Sequence, residues 1–228
     1  MQFHFVKYSV AMALVLGAVP SIVFAGPVSG VVKTTTQAGV APAAAIVYAE
    51  PLDAPVPRTT SKATLIQKNK TFQPHVLAVP TGSTVSFPNN DQIFHNVFSL
   101  SGPQPFDLGL YRGGATRERT FTHSGTYRVF CNIHPQMTAL VIVVPTPHTT
   151  SVGADGRYVL DLPPGRYRVT AVSERASPVT VEVTSGAGAA TAPDLTLDES
   201  SWIFAQHKNK FGQEYPAAAY KKWAAANS

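Results

Sequence analysis

Apolar positions along the chain fall two apart, or in short unbroken runs, and the runs are bounded by Gly, Pro, Asn and Asp. That period belongs to β-strands and not to helices. Thr126–Phe130 alternates apolar and polar, and Leu140–Val144 is continuously apolar. Phe72–Val79 and Pro80–Phe87 read as two strands around a Pro/Gly turn, and the stretch reaching Ser99 through His95 is rich in β-branched and aromatic residues. On either side lie further short strands: Val28–Lys33 and Ala44–Ala49 before, then Gly156–Leu162, Arg166–Val172, Pro178–Val183 and Leu195–Leu197 after. Asp155-Gly156 and Pro163-Pro164-Gly165 between alternating strands are hairpin signals. The pattern predicts an all-β chain built as β-sandwiches.

Composition agrees. Of 228 residues 44% are apolar and 14% charged, with 16 Gly and 19 Pro. So few charges exclude a coiled coil, and so many apolar residues exclude a charge-driven disordered chain. The net charge of +5 is spread out, with no run of five like charges, which leaves nucleic-acid binding without support.

The first 25 residues read as a secretory signal. His4 and Lys7 precede the apolar run Val10–Val19, and Val23-Phe24-Ala25 supplies the small residue needed before a cut after Ala25. The run is too short to span a bilayer, which takes about 20 apolar residues, and no second span follows. The expectation is an exported, periplasmic protein with no integral membrane segment.

An exported chain of this length often carries disulfides, yet this one has a single cysteine, Cys131, which can form no internal bridge. It lies in Cys131-Asn-Ile-His134-Pro-Gln-Met137, between the two strands Thr126–Phe130 and Leu140–Val144. Met1 and Met12 lie in the signal, so the mature chain has one Cys and one Met in the same short loop, with a His between them. Thiolate and thioether are soft ligands that, with imidazole, select copper over magnesium, calcium or manganese. A trigonal His₂Cys site with a weak axial Met needs one more His, and His95 is the leading candidate. His75 reads as the start of a strand, His123 as an exposed turn residue, and His148 and His207 as lying outside the copper domain without metal-binding spacing. Zinc is disfavoured because Met is a poor fourth ligand for it. With no His-x-His, no His-Cys-His and no second Cys, the ligand count fails for multicopper and binuclear centres, and a redox-sensing thiol would lack its resolving partner.

His95-Asn96-Val97 followed by Gly125-Thr-Tyr-x-x-x-Cys131-x-x-His134-Pro-x-Met137 resembles the cupredoxins, small blue copper proteins. The two-residue gap between His134 and Met137 is most similar to the amicyanin type of ligand loop, and the resemblance covers about Ser61–Pro145. It implies a Greek-key sandwich holding one copper, cycling between Cu+ and Cu2+. His95, Cys131 and His134 would be strong ligands, and Met137 the weak axial one. Asn96 would tie the two ligand loops together. Electrons would pass through the exposed edge of His134, with Ile133 and Pro135 as docking surface for a redox protein such as a c-type cytochrome or a dehydrogenase. Thr138-Ala139 stands where a Gly is common in the family, a small departure. The loop Tyr111–Arg119 is either a steering patch for an acidic partner or a solvated turn.

The flanking strands resemble a carboxypeptidase regulatory-like (prealbumin-type) β-sandwich, notably in Gly156-Arg-Tyr-Val-Leu160 and Leu162-Pro-Pro-Gly-Arg-Tyr-Arg-Val169. The expected layout is signal peptide 1–25, first part of that sandwich 26–60, cupredoxin domain 61–145, second part 146–199 and a C-terminal tail 200–228. The copper domain would be inserted in a surface loop of the other sandwich, or only adjoin it. The aromatic, basic tail either packs across the domains, docks a partner or is a poorly ordered end. The leading function is an exported electron shuttle and not an enzyme. The competing one is non-redox copper binding, for storage or sensing, or a structural binding module.

Overall fold

The structure is a computed structural model, and it describes residues 26–203 and 207–216. The expected signal peptide, with its cleavage point, lies outside the described residues. Among these residues every regular element is a strand. Two come first, β1 (Gly26–Thr35) and β2 (Ala45–Pro51). A central block follows: β3 (Lys62–Thr64), β4 (Ile66–Lys68), β5 (Thr71–Gln73), β6 (Val76–Pro80), β7 (Thr84–Pro88), β8 (His95–Ser99), β9 (Phe106–Tyr111), β10 (Thr116–Thr120), β11 (Gly125–Phe130) and β12 (Thr138–Val144). The chain continues with β13 (Thr149–Ser151), β14 (Arg157–Leu162), β15 (Gly165–Ser173), β16 (Val179–Ser185), β17 (Ala190–Thr191) and β18 (Leu195–Asp198).

Within the central block a sheet of order β6-β12-β11-β8-β9 faces the smaller sheet β10-β7-β3 and the hairpin β4-β5. Leu65, Phe87, Val97, Phe121, Tyr127 and Val141 fill the space between, together with Cys131 and Met137. The flanking strands make a second sandwich. β1 pairs with β14, β17 and β18, while β2 pairs with β13 and β15, and β15 with β16. Its core holds Val28, Val47, Leu160, Leu162, Val169, Leu195 and Leu197.

A third cluster explains the unbroken apolar runs. Along β12, Ala139, Val141 and Val143 face the central core, while Leu140, Ile142 and Val144 face the other way. There they meet Ile46 of β2 and Val172 of β15, with Tyr48, Val76 and Ala78 at the margin. Alternation marks a strand with one wet face; a strand buried on both faces reads as a continuous run. β12 and β2 are such strands because the two sandwiches pack face to face on them. Full burial of one such side chain contributes about 1.5–3 kcal/mol. The polar margin of this interface adds less. Glu174 accepts hydrogen bonds from His75 Nε2 at 2.8 Å and Arg128 at 3.1 Å, but both basic side chains are nearly half exposed. Ion pairs of that kind are worth about 0–1 kcal/mol.

Neither turn expected to close a hairpin does so. β14 pairs with β1, and β15 with β2 and β16, so Pro163-Pro164 carries the chain from one sheet to the opposite one. Two prolines remove two ladder donors, which suits a crossing between layers as well as a hairpin end. The Asp155-Gly156 turn is tight, with the Gly156 N–H donating to the Gly153 carbonyl at 2.9 Å, but it likewise joins β13 and β14 of different sheets. Gly156 sits at φ +80°, where a Cβ would lie 2.7 Å from the Val32 carbonyl oxygen. A side chain there is disfavoured twice, by conformation and by contact.

Candidate metal centre

The ladder between β11 and β12 ends at Phe130 opposite Thr138, and residues 131–137 form the loop between them. Two hydrogen bonds shape this loop from inside: the Cys131 N–H donates to the Met137 carbonyl at 3.2 Å, and the Met137 N–H to the His134 carbonyl at 2.9 Å. On its other edge β11 meets β8 through Phe130 and Phe98, which sets His95, the first residue of β8, beside the loop. A register irregularity between Asn96 and Phe98 bends β8 at this place, as bulges near functional sites do.

Three ligand atoms converge. Cys131 Sγ lies 3.9 Å from His95 Nδ1 and 3.8 Å from His134 Nδ1, and the three atoms sit within 4.8 Å of one another. The two imidazoles meet edge to face at 4.9 Å between ring centres. His95 and Cys131 are buried, His134 is partly exposed, and Met137 is fully buried in the same core cluster as Cys131.

The surroundings prepare the thiol to lose its proton. Burial alone would raise its pKa, but hydrogen bonds from His134 and His95, then from the Asn96 and Ile133 N–H groups, overcome that and bring it down to about 6. Cys131 is therefore largely thiolate at neutral pH in the metal-free protein, the form that binds metal. His95 experiences the reverse balance: burial lowers its pKa, yet hydrogen bonds to Cys131 and Asp91 leave it raised.

The far nitrogen of His95, Nε2, is held by Asp91 Oδ2 at 2.8 Å. That carboxylate also accepts the Asn69 and Lys70 N–H groups at 2.7 and 2.9 Å. Asn69 and Lys70 both have positive φ, 55° and 56°, in the two-residue turn between β4 and β5. A primed hairpin turn requires this and usually employs Gly at the second position. Burial pushes the Asp91 carboxyl up, but the Lys70 N–H, His95 and the Asn69 N–H outweigh it and hold it below the usual range. A carboxylate behind a ligating imidazole fixes ring orientation. Two imidazole nitrogens and a thiolate sulfur, all preset toward one point, suit a single soft cation.

Among the remaining expected residues, the Asn96 side chain donates to Asp107 at 2.7 Å, while its backbone N–H reaches the Cys131 sulfur. Ile133 is 45% exposed, whereas Pro135 is buried and its carbonyl accepts a hydrogen bond from His207 Nε2 at 2.8 Å. His75 adjoins the start of β6 and binds Thr138 and Glu174, and His123 is exposed. His148 lies beside Tyr167 of the flanking sandwich. His207 departs from expectation: it stacks on Phe130 at 4.0 Å, immediately beside the ligand loop. Tyr111–Arg119 is half strand, with Arg117 over Tyr111 and Arg119 over Phe106.

Sequence reasoning passed over Asp91, Asp107, Phe94 and Leu110. Asp91 lies four residues before His95, a spacing without meaning outside a helix. Phe94 and Leu110 are 54% and 56% exposed. Phe94 precedes His95, and Leu110 lies opposite Asn96. An aromatic residue directly before a candidate ligand was the available signal.

Residues 60–144 match the copper binding proteins of the plastocyanin/azurin family. Copper is the cofactor of this donor set. No curated protein matches the chain. Among solved structures, the chain is similar to a purple cupredoxin from Nitrosopumilus maritimus, at 28% identity and TM-score 0.34, covering 36% of this chain and 99% of that one. It is also similar to a copper-containing nitrite reductase from Thermus scotoductus, at 28% identity and TM-score 0.35, covering 42% of this chain and 25% of that one. A third similarity is to a reduced Cu(I) variant of amicyanin, at 26% identity and TM-score 0.34, covering 36% of this chain and 80% of that one.

Proposed function

We propose that this protein is an exported carrier of single electrons, with His95, Cys131 and His134 as strong copper ligands and Met137 as a weak fourth. The observation that carries the reading is the buried convergence of two imidazole nitrogens on one thiol sulfur, with the three atoms within 4.8 Å of one another. Copper bound by such a set supplies a one-electron couple between its +1 and +2 states. The protein's own part is to stay still. Asp91 holds His95, the two hydrogen bonds inside the loop hold Cys131 and Met137, and burial keeps water from the sulfur.

Electrons exchange through the exposed side of His134. Ile133, Phe94 and Leu110 are apolar and exposed at or beside the ligand-bearing stretches, so they are assigned as the docking surface for a redox protein. Pro135 contributes from beneath, as a buried support. In this reading the mature chain begins after Ala25 and works in the periplasm. No helix among the described residues is long and apolar enough to cross a membrane. The chain is further read as two nested domains. A central domain, 61–145, interrupts a regulatory-like sandwich made of 26–60 and 146–199, because β1 and β2 take their partners from strands after residue 148. Limited proteolysis releases the central domain only after two cuts if this is right; release of two stable halves by one cut overturns it.

The test of the carrier is the visible spectrum on addition of copper. A strong sulfur-to-copper band that bleaches and returns with reductant and oxidant, and is absent in Cys131→Ser, is expected. Colourless binding would instead make the protein a copper store or sensor.

A further inference from the structure

We propose that residues 207–216 are a strap that holds the ligand loop in its metal-ready shape, with Tyr215 and Lys210 as positioning residues. The inference rests on the copper reading of the loop and adds what keeps that loop in place. Tyr215 OH donates to the carbonyl of Cys131 itself at 3.0 Å. His207 Nε2 binds the carbonyl of Pro135, next to His134, at 2.8 Å, and its ring stacks on Phe130, next to Cys131. The Lys210 N–H donates to Asn132 Oδ1 at 3.0 Å. The strap thus reaches the loop at three residues, Cys131, Asn132 and Pro135, whereas within the loop two hydrogen bonds run from backbone to backbone.

Lys210 extends the hold to the other ligand-bearing stretch. Its ammonium pairs with Asp107 Oδ2 at 2.7 Å, and Asp107 Oδ1 accepts from Asn96 Nδ2 at 2.7 Å. Asn96 follows His95 and offers its backbone N–H to the Cys131 sulfur. A connected path therefore runs from the strap through Asp107 and Asn96 to the Cys131 sulfur, and a second runs through Asn132 to the loop.

The strap is itself ordered. Asn209 Oδ1 accepts the Phe211 and Gln213 N–H groups at 2.9 and 3.0 Å, and the Asn209 N–H donates to the Gln213 carbonyl at 2.8 Å. His207 and Tyr215 meet edge to face at 5.2 Å, bringing the two ends of the strap together over the loop. A clamp that is already folded lowers the ordering cost of whatever it holds, and a site needs such support to stay within a fraction of an ångström of its working geometry.

The experiment uses full-length Tyr215→Phe, which loses one hydroxyl and keeps the ring, and Lys210→Met, which loses the ammonium and keeps the backbone N–H. Glu214→Gln is the control, since Glu214 faces Lys208 at 3.8 Å and not the loop. In metal-free protein, amide hydrogen exchange at Cys131 and Met137 is expected to speed up about five-fold in Tyr215→Phe, the effect of one lost hydrogen bond. A comparable increase is expected in Lys210→Met, and none in the control. In copper-loaded protein, both variants should release copper to a chelator several-fold faster and alter the relative intensities of the sulfur-to-copper bands, with a melting temperature lowered by no more than about 2–4 °C. Exchange within two-fold of wild type in both variants overturns the strap, as does an equal increase in Glu214→Gln. Because the exchange is read without metal, a chain that takes up no copper defeats the carrier reading alone.

Discussion

The two sandwiches divide their interiors differently. The flanking core is Val, Leu, Ala and Tyr. The central core places Cys131 and Met137 among its aliphatic and aromatic side chains, and His95, Asn96, Gln67 and Asn89 are buried in the same block. Buried polar groups cost stability unless they are partnered. The central block partners one end of each: Asp91 binds His95 Nε2, Asp107 accepts from Asn96 Nδ2 and Tyr111 from Gln67 Nε2, while Asn96 Oδ1 and Gln67 Oε1 are buried without a partner. The flanking sandwich buries polar groups only outside its apolar cluster, with Ser173 donating to Glu199 at 2.6 Å and Ser185 to the Leu162 carbonyl at 2.9 Å, and it presents the apolar side chains Ile46 and Val172 to β12. One body carries the chemistry, and the other backs the strand that leads out of the ligand loop.

The largest break in this comparison is Cys131→Ser, which removes the soft anionic donor; copper uptake and the visible band should disappear while the far-ultraviolet β signal persists. Next is Leu197→Ala in the flanking core, where a fully buried leucine leaves a cavity costing about 2–5 kcal/mol. Denaturant unfolding should record that loss with the visible band unchanged. A shifted band would show that the flanking sandwich shapes the site directly. A smaller effect is expected of Asp91→Asn, which keeps a group behind His95 but removes its charge; copper affinity measured by chelator competition should fall about 10–100-fold.

The smallest effect is at the seam between the bodies. Glu174 raises the pKa of His75, and His75 lowers that of Glu174. The share due to His75 is full below its ordinary value of 6.5 and fades as pH rises through the higher folded value. The share due to Glu174 is full above 4.5 and fades as pH falls through its lowered value. The pair thus helps most between pH 4.5 and 6.5. His75→Gln should lower stability there by less than about 1 kcal/mol after solvent screening, and the difference from wild type should shrink toward pH 8.

The donor types were legible because Cys131, His134 and Met137 lie within one loop, and the strands because period-two patterning is local. Whatever depends on distant pairing was not. The Leu140–Val144 run announced a strand without revealing that its second face meets Ile46 and Val172. Pro163-Pro164 announced a turn, but whether a turn folds a strand back or sends it to the opposite sheet is decided by the partners, here β1 and β2. Asn96 was assigned as a link between ligand loops; which of its groups points where depends on Asp107, eleven residues away. His207 gave no sign of reaching Pro135, seventy-two residues upstream.

The pairing of β1 sets an order of assembly. Ser29 bonds the Ala190 carbonyl across 161 positions, so this sheet closes only when nearly all of the polypeptide is available. The strands of the copper-bearing block all lie between Lys62 and Val144. Contacts close in sequence form sooner than remote ones, so the strands of the copper-bearing block are expected to pair before the outer sheet does, and the strap of residues 207–216 comes last to the ligand loop.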